Sequence, residues 1–161
     1  MTPDRQPPVR ADFTHFLRIP TRWMDNDAYG HVNNVVYYAY FDTIVNEHLV
    51  REAGLDIARS PAIGVVAETA CRFFRGLAFP DPVDAGMRVT RIGRSSVEYA
   101  IGLFAAQDDD AAAAGRFVHV WVDRASRRLA ERRALAHYLS STCQGRPRLP
   151  TSSRNGSGSA G

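Results

Sequence analysis

The chain has 161 residues, enough for one domain with its own core, and its 45% hydrophobic content is ordinary for a globular protein. No apolar run reaches the roughly 18 residues needed to span a bilayer. The polar, proline-bearing start (residues 1–10) has no signal-peptide core, so the cytoplasm is the expected compartment and no membrane partner is expected. The net charge of +3 is uneven: residues 1–115 carry 11 Arg and 15 acids, residues 116–161 carry nine Arg and two acids, and no lysine occurs. The basic C-terminal part fits a solvated surface, a small polyanionic ligand or nucleic acid, but no aromatic-basic motif supports nucleic acid as a partner. Cys71 and Cys143 lie far apart and form no metal-ligand spacing, so they read as free thiols and no metal or cofactor is expected.

In chain order, residues 1–11 read as a flexible leader, 12–145 as the folded domain and 146–161, rich in Ser and Gly, as a disordered tail. Phe13 to Trp23 reads as a first strand, interrupted by Pro20. Residues 34–53 carry neither Pro nor Gly and are followed by Gly54, which predicts one long helix with a glycine C-terminal cap. Val35 to Phe41, Ile44, Val45, Leu49 and Val50 cover most of its circumference, which predicts a helix buried on nearly all sides, by a curved sheet or by a sheet plus a second subunit. Ile63 to Arg75 is β-branched and aromatic, Gly76 to Gly86 is a turn-rich loop with Pro80 and Pro82, and Met87 to Ile92 is strand-like. From Val97 and again from Phe117 the apolar residues alternate with period two, predicting antiparallel strands with a hairpin tip at Asp108 to Asp110. A short helix is predicted from Glu131 to about Ser141. The whole is an α+β pattern: strand, long helix, then about four strands.

The chemistry concentrates at the start of the long helix, in Asp25-Asn26-Asp27-Ala28-Tyr29-Gly30-His31-Val32-Asn33-Asn34. This Asp-x-Asp-x-x-Gly-His-Val-Asn-Asn segment, followed by Tyr37 to Phe41, resembles the hotdog-fold acyl-CoA thioesterases, nearest to the 4-hydroxybenzoyl-CoA thioesterase-like branch. Arg72 to Asp81, Gly93 to Ser96 and Phe117 to Asp123 are similar to later strands of that family, and the likeness covers roughly residues 13–140. It implies a long central helix wrapped by a curved antiparallel sheet, subunits paired into a homodimer or homotetramer with sheets made continuous, and an acyl-CoA substrate. The sequence departs from the pattern at Gly76, where relatives often carry proline, and in the basic run Arg127 to Arg133.

By the same resemblance, Asp27 matches the acid that attacks the thioester or activates water, and Asn34 matches the position whose backbone N–H polarises the carbonyl. The second role is physically apt, because the first N–H groups of a helix lack partners and its dipole favours negative charge. Gly30 would permit a tight turn, and His31 would orient the site or make a structural hydrogen bond. Asn33 reads as a helix cap or a substrate contact, and Asp25 as a loop-holding acid. Asp27 itself has a plainer reading as a turn acid. Tyr29, Tyr37, Phe73 and Phe74 suggest an apolar or aromatic acyl group, while Tyr37, Tyr40 and Phe41 equally suit a core. Arg72, Arg75, Arg88 and Arg91 are candidates for the phosphates of CoA or simple exposed strand arginines. Asp42 and Glu47 read as a second carboxylate or as helix ion pairs. The competing functions are a hotdog hydratase or dehydratase and a non-catalytic acyl-CoA binder.

Overall fold

The computed structural model describes residues 6–130. The predicted C-terminal helix, the tail, Cys143 and residues 1–5 lie outside the described residues. Five strands and one long helix make up the body: β1 (His15–Ile19), α1 (Asn34–Arg51), β2 (Ala62–Phe73), β3 (Val83–Ile92), β4 (Ser96–Ala105) and β5 (Ala113–Asp123). Two short 3-10 turns, Arg10–Asp12 and Trp23–Asp25, flank β1. The strands form one antiparallel sheet in the order β1-β3-β4-β5-β2, so β1 and β2 are its edges.

Strand register sets which side chains share a face. Leu17, Ala85, Leu103, Ala113 and Phe73 lie opposite one another in turn, forming a row across all five strands. On the same side of β4 lie Val97, Tyr99 and Ile101, which with Leu103 are buried in the main core. The helix meets this face with Tyr37, Tyr40, Phe41, Ile44, Val45, His48 and Leu49, the three-and-four spacing of one helical stripe. One helix laid against a five-stranded antiparallel sheet is the hotdog arrangement that the resemblance implies. Gly54 adopts φ +69°, and the N–H of Leu55 returns to the Leu49 carbonyl at 2.9 Å, closing the helix end as predicted.

Several expectations are corrected. Of the two ways to bury the helix all round, the sheet of one chain does not suffice: Val35 is 64% exposed, and Ala39, Asp42, Thr43 and Val50 also face outward. The first strand stops at Ile19, since Pro20 removes a ladder donor and the chain then turns into Trp23–Asp25. The predicted loop over residues 76–86 is shorter, because Val83, Asp84, Ala85 and Gly86 already pair with both β1 and β4. Asp84, an unlikely strand residue by composition, is accommodated by two arginines. Arg18 grips it through Nε at 2.7 Å and Nη2 at 3.0 Å, and Arg10 adds Nη2 at 3.0 Å. Burial works to raise the Asp84 pKa, but these two partners outweigh it and hold the carboxyl below its ordinary range. β5 likewise begins at Ala113, four residues before Phe117.

The leader reading also ends too late. Val9 bridges Asp110, the Arg10 N–H bonds the Asp109 carbonyl at 3.0 Å, and Arg10 Nε reaches the Asp108 carbonyl at 2.7 Å. The Arg10 guanidinium lies 4.9 Å from the Phe104 ring centroid, over a small second core of Phe13, Phe104 and Ala111 on the other face of the sheet.

Candidate active site

The polar segment before α1 folds as a closed loop on a buried base. Asp25 is 1% exposed, and its carboxylate accepts from the Arg22 backbone N–H (2.8 Å), Arg22 Nε (3.0 Å) and the Tyr40 hydroxyl (3.0 Å). Burial alone would raise its pKa; the Arg22 side chain, the Arg22 backbone and Tyr40 together outweigh burial and hold it low. Burial and the carboxylate in turn push the Tyr40 phenol upward, so Tyr40 keeps its proton. The Asp25 carbonyl accepts from the Asn33 N–H at 2.8 Å, which ties the two ends of the loop together.

Within the loop, Asn26 bridges Val32, the Asp27 N–H donates to the His31 carbonyl (2.8 Å), and the Gly30 N–H donates to the Asp27 carbonyl (3.2 Å). Gly30 sits at φ +84°, a conformation that a side chain disfavours. The loop is fastened to the segment after β2 at two points. The Val32 N–H donates to the Leu77 carbonyl at 2.7 Å, and the Phe79 N–H donates to Asn26 Oδ1 at 3.1 Å.

The two oxygens of Asp27 are placed differently. Oδ1 accepts from the backbone N–H groups of Tyr29 (2.8 Å) and His31 (3.3 Å), a turn role. Oδ2 has no hydrogen-bond partner among the described residues. The helix start shows the same economy. Asn33 caps it, its Oδ1 accepting from the Val35 N–H at 3.2 Å, and its carbonyl accepts from the Val36 N–H at 2.9 Å. The Asn34 N–H is left without an acceptor among the described residues.

These groups border one cleft of about 400 Å³. Asp27, His31, Asn33, Asn34, Tyr37 and Arg75 line it, with Val32, Phe73, Phe74 and Gly76. Tyr37 is buried, its ring edge-on to Phe73 at 4.9 Å, and its hydroxyl oxygen accepts from the Leu77 N–H at 3.4 Å. Arg75 is at the rim, but its guanidinium is engaged with the Asp108 carboxylate (2.9 Å) and the Asp110 carbonyl.

Four expected contacts, Tyr29, Arg72, Arg88 and Arg91, are not brought to the cleft. Tyr29 contributes its N–H to the loop, but its side chain is 87% exposed and stands outside the lining. Arg72 pairs with Ala114 and so has the opposite parity to Phe73, placing it on the other face of the sheet. Arg88 and Arg91, opposite Ala100 and Glu98, are exposed on that same outer face. Asp42 and Glu47 follow the ion-pair and helix-surface reading: Asp42 accepts from Asn46, and Glu47 meets His15 at 3.2 Å and Arg51 at 3.0 Å. Among the described residues, no group of three or more His, Cys, Asp or Glu is placed to hold a metal, and no helix is long and apolar enough to cross a membrane.

The sequence marks Gly76 only as a departure from the family pattern. In the structure the His31 ring lies against its bare backbone: a Cβ there would sit 2.6 Å from His31 Cδ2. Asn26, which ties the loop to Phe79, went unassigned, and Tyr40, which bonds Asp25, was read only as a core or acyl-contact aromatic. Asn26 carried a usable signal as a third amide in a turn-forming run, whereas Tyr40 carried none beyond its aromatic character.

Electrostatically, the cleft sets an unengaged carboxylate oxygen near an unengaged N–H at the positive end of an 18-residue helix. That pairing suits attack on a carbonyl whose oxygen gains negative charge. The sequence profile of the Thioesterase-like superfamily matches residues 21–137. No curated protein matches the sequence. Among solved structures, the PA5185 protein of Pseudomonas aeruginosa is 46% identical, with 84% of this chain and 96% of that one covered and a TM-score of 0.79. The fold is shared by the 1,4-dihydroxy-2-naphthoyl-CoA thioesterase of Synechocystis (14% identity, 80% and 95% covered, TM-score 0.70). It is shared too by the DHNA-CoA thioesterase of Staphylococcus aureus (14% identity, 81% and 94% covered, TM-score 0.68). On its sequence match and its architecture together, the chain belongs to the Thioesterase-like superfamily, with the hotdog fold.

Proposed function

We propose that this protein hydrolyses an acyl-CoA thioester to the free acid and CoA, with Asp27 as nucleophile or general base and the Asn34 N–H polarising the carbonyl. The single observation that carries this reading is the presence, in one cleft, of an Asp27 oxygen and an Asn34 N–H that the fold leaves unengaged. As base, Asp27 takes a proton from water while the hydroxide adds to the carbonyl carbon; collapse of the tetrahedral oxyanion breaks the C–S bond, and the thiolate recovers the proton. As nucleophile, its oxygen displaces the thiolate, and water then cleaves the mixed anhydride. Either route uses protein groups and water alone, so no cofactor enters. Asn33 acts by capping the helix that presents the donor, His31 by forming the wall beside it, and Gly30, outside the lining, by permitting the turn that closes the loop.

Tyr37, Phe73 and Phe74 support an apolar or aromatic acyl group. A homodimer or homotetramer belongs to the same reading. It is supported by the twelve-residue edge strand β2, where Val65 and Val66 are 43% and Phe73 46% exposed, and by the outward Val35.

The test is thiol release from a panel of acyl-CoAs. Wild-type turnover is expected, and Asp27→Asn should lower kcat by about 10²- to 10⁴-fold. Near-wild-type turnover in Asp27→Asn would overturn the assignment of Asp27. Tight acyl-CoA binding with no thiol release by the wild type would make the protein a binder, and hydration of an enoyl thioester would make it a hydratase.

A further inference from the structure

The first turn of α1 holds a second polar hydrogen whose destination the fold leaves open. Tyr37 lies three residues after Asn34, so the two share a helix face, and helical side chains lean toward the N-terminus. Its hydroxyl oxygen is pinned from behind by the Leu77 N–H at 3.4 Å, and its ring is held edge-on by Phe73 at 4.9 Å. That oxygen therefore acts as an acceptor toward the protein, and its own O–H finds no acceptor among the described residues. The residue is buried, 3% exposed, yet borders the cleft with Asp27 and Asn34.

We infer that the Tyr37 hydroxyl is a catalytic hydrogen-bond donor, which joins the Asn34 N–H in holding the carbonyl oxygen of the thioester as it becomes an oxyanion. This rests on the hydrolase reading above and adds to it a side-chain donor in a site otherwise served by backbone. No proton is transferred from Tyr37: it shares its hydrogen with the oxyanion, while Asp27 handles the proton of water. The groups that bear on Tyr37 are Asp27 and Cys71 by charge, with His31 across the cleft. Burial first, then the charges of Cys71 and Asp27, push the Tyr37 phenol up, so it stays protonated through the neutral range. A buried donor fixed by a backbone N–H and a packed ring is pre-oriented, the property that makes such donors effective.

Tyr37→Phe keeps the ring and removes the hydroxyl. The expected result is a fall in kcat of about 100-fold, the scale of one lost oxyanion donor. Affinity for a non-hydrolysable thioether analogue of the substrate should change less than about threefold, because the donor acts on the transition state. A kcat within about twofold of wild type would overturn the inference, as would a loss of analogue affinity equal to the loss of kcat/KM. If Tyr37→Phe does not fold, trifluorotyrosine placed at position 37 keeps both hydrogen bonds while acidifying the phenol. It should then bring in a new loss of kcat on the alkaline side, and an unchanged pH profile would overturn the inference. If the wild type itself releases no thiol, the hydrolase reading and this one fall together; if only the variants behave as wild type, this one falls alone.

Discussion

Asp25 and Asp27 stand two residues apart in one loop and have opposite fates. Around Asp25 every lone pair in reach is used: an arginine, a backbone N–H and a tyrosine close over a carboxylate that water scarcely reaches. Around Asp27 the loop satisfies one oxygen and leaves the other to the cleft. The histidines divide by exposure alone, since the buried His119 Nδ1 has no hydrogen-bond partner among the described residues. His31 is exposed at the rim, whereas His119 is 1% exposed among Tyr99, Phe117 and Trp121. Residue type does not separate the two aspartates; what the loop leaves unfilled does. Asp25 holds the shape of the loop, and Asp27 keeps one oxygen open to the cleft, the valence that the proposed hydrolysis uses.

The contrast breaks most sharply if the two aspartates are exchanged in their effects. Asp27→Asn should lose the turnover described above with its melting temperature little changed, since only a surface turn is touched. Asp25→Ala should instead cost about 3 kcal/mol in denaturant unfolding, the lower end for breaking a buried charge pair, because Arg22 is still reached by water. A stable Asp25→Ala protein with intact unfolding midpoint would erase the distinction.

Next in size is a pH effect from the interior histidines. Burial lowers the His119 pKa from 6.5 to about 4, so between these values the unfolded chain binds a proton that the folded chain refuses. Stability therefore falls as pH drops through that window, by about 3 kcal/mol from this group, and levels off below it. His48, lowered by burial and by His15 against the pull of Glu52 and Glu47, acts in the same direction. Chemical denaturation across this window should show the slope, and His119→Phe should flatten it. Asp25 and Asp84, both held low, carry the loss further into acid.

The smallest effect probes the rim. Gly76→Ala places a methyl where the His31 ring lies, so the ring must move. Activity should drop by about tenfold at unchanged fold stability, as expected for a misplaced group beside the reacting centre. Unaltered activity would mean that the His31 position does not matter to turnover.

Much of this was readable in the chain. The helix bounds followed from the run without Pro or Gly up to Gly54, and β4 and β5 from strict alternation at Val97 to Leu103 and at Phe117 to Val122. Asp27, His31, Asn33 and Asn34 met in one cleft because they are neighbours in sequence, joined by a single turn. What escaped depended on distant partners. Asp84-Ala85-Gly86 looks like a turn until Arg10 and Arg18 arrive from the chain's beginning. Arg72 and Tyr29 were misplaced for a related reason: which face a strand residue takes is fixed by register with Ala114, and where a loop ring points is fixed by which of its atoms the loop consumes.

The clasp at Val9 and Arg10 has a kinetic side. Its bonds to residues 108–110 join positions as far as 101 residues apart. Closing so long a loop carries a large entropic cost unless the intervening chain has already shortened the path. The β3–β4 hairpin does that, bringing Asp84 and Ala105 to the same end of the sheet through local contacts. The length of that loop predicts that residues 9 and 10 dock late, on a sheet that already exists, and lock the turn that also anchors Arg75 at the cleft rim. Residues 9 and 10 are synthesised before the whole sheet, yet on this ordering they wait for β3 and β4 before they have anything to hold.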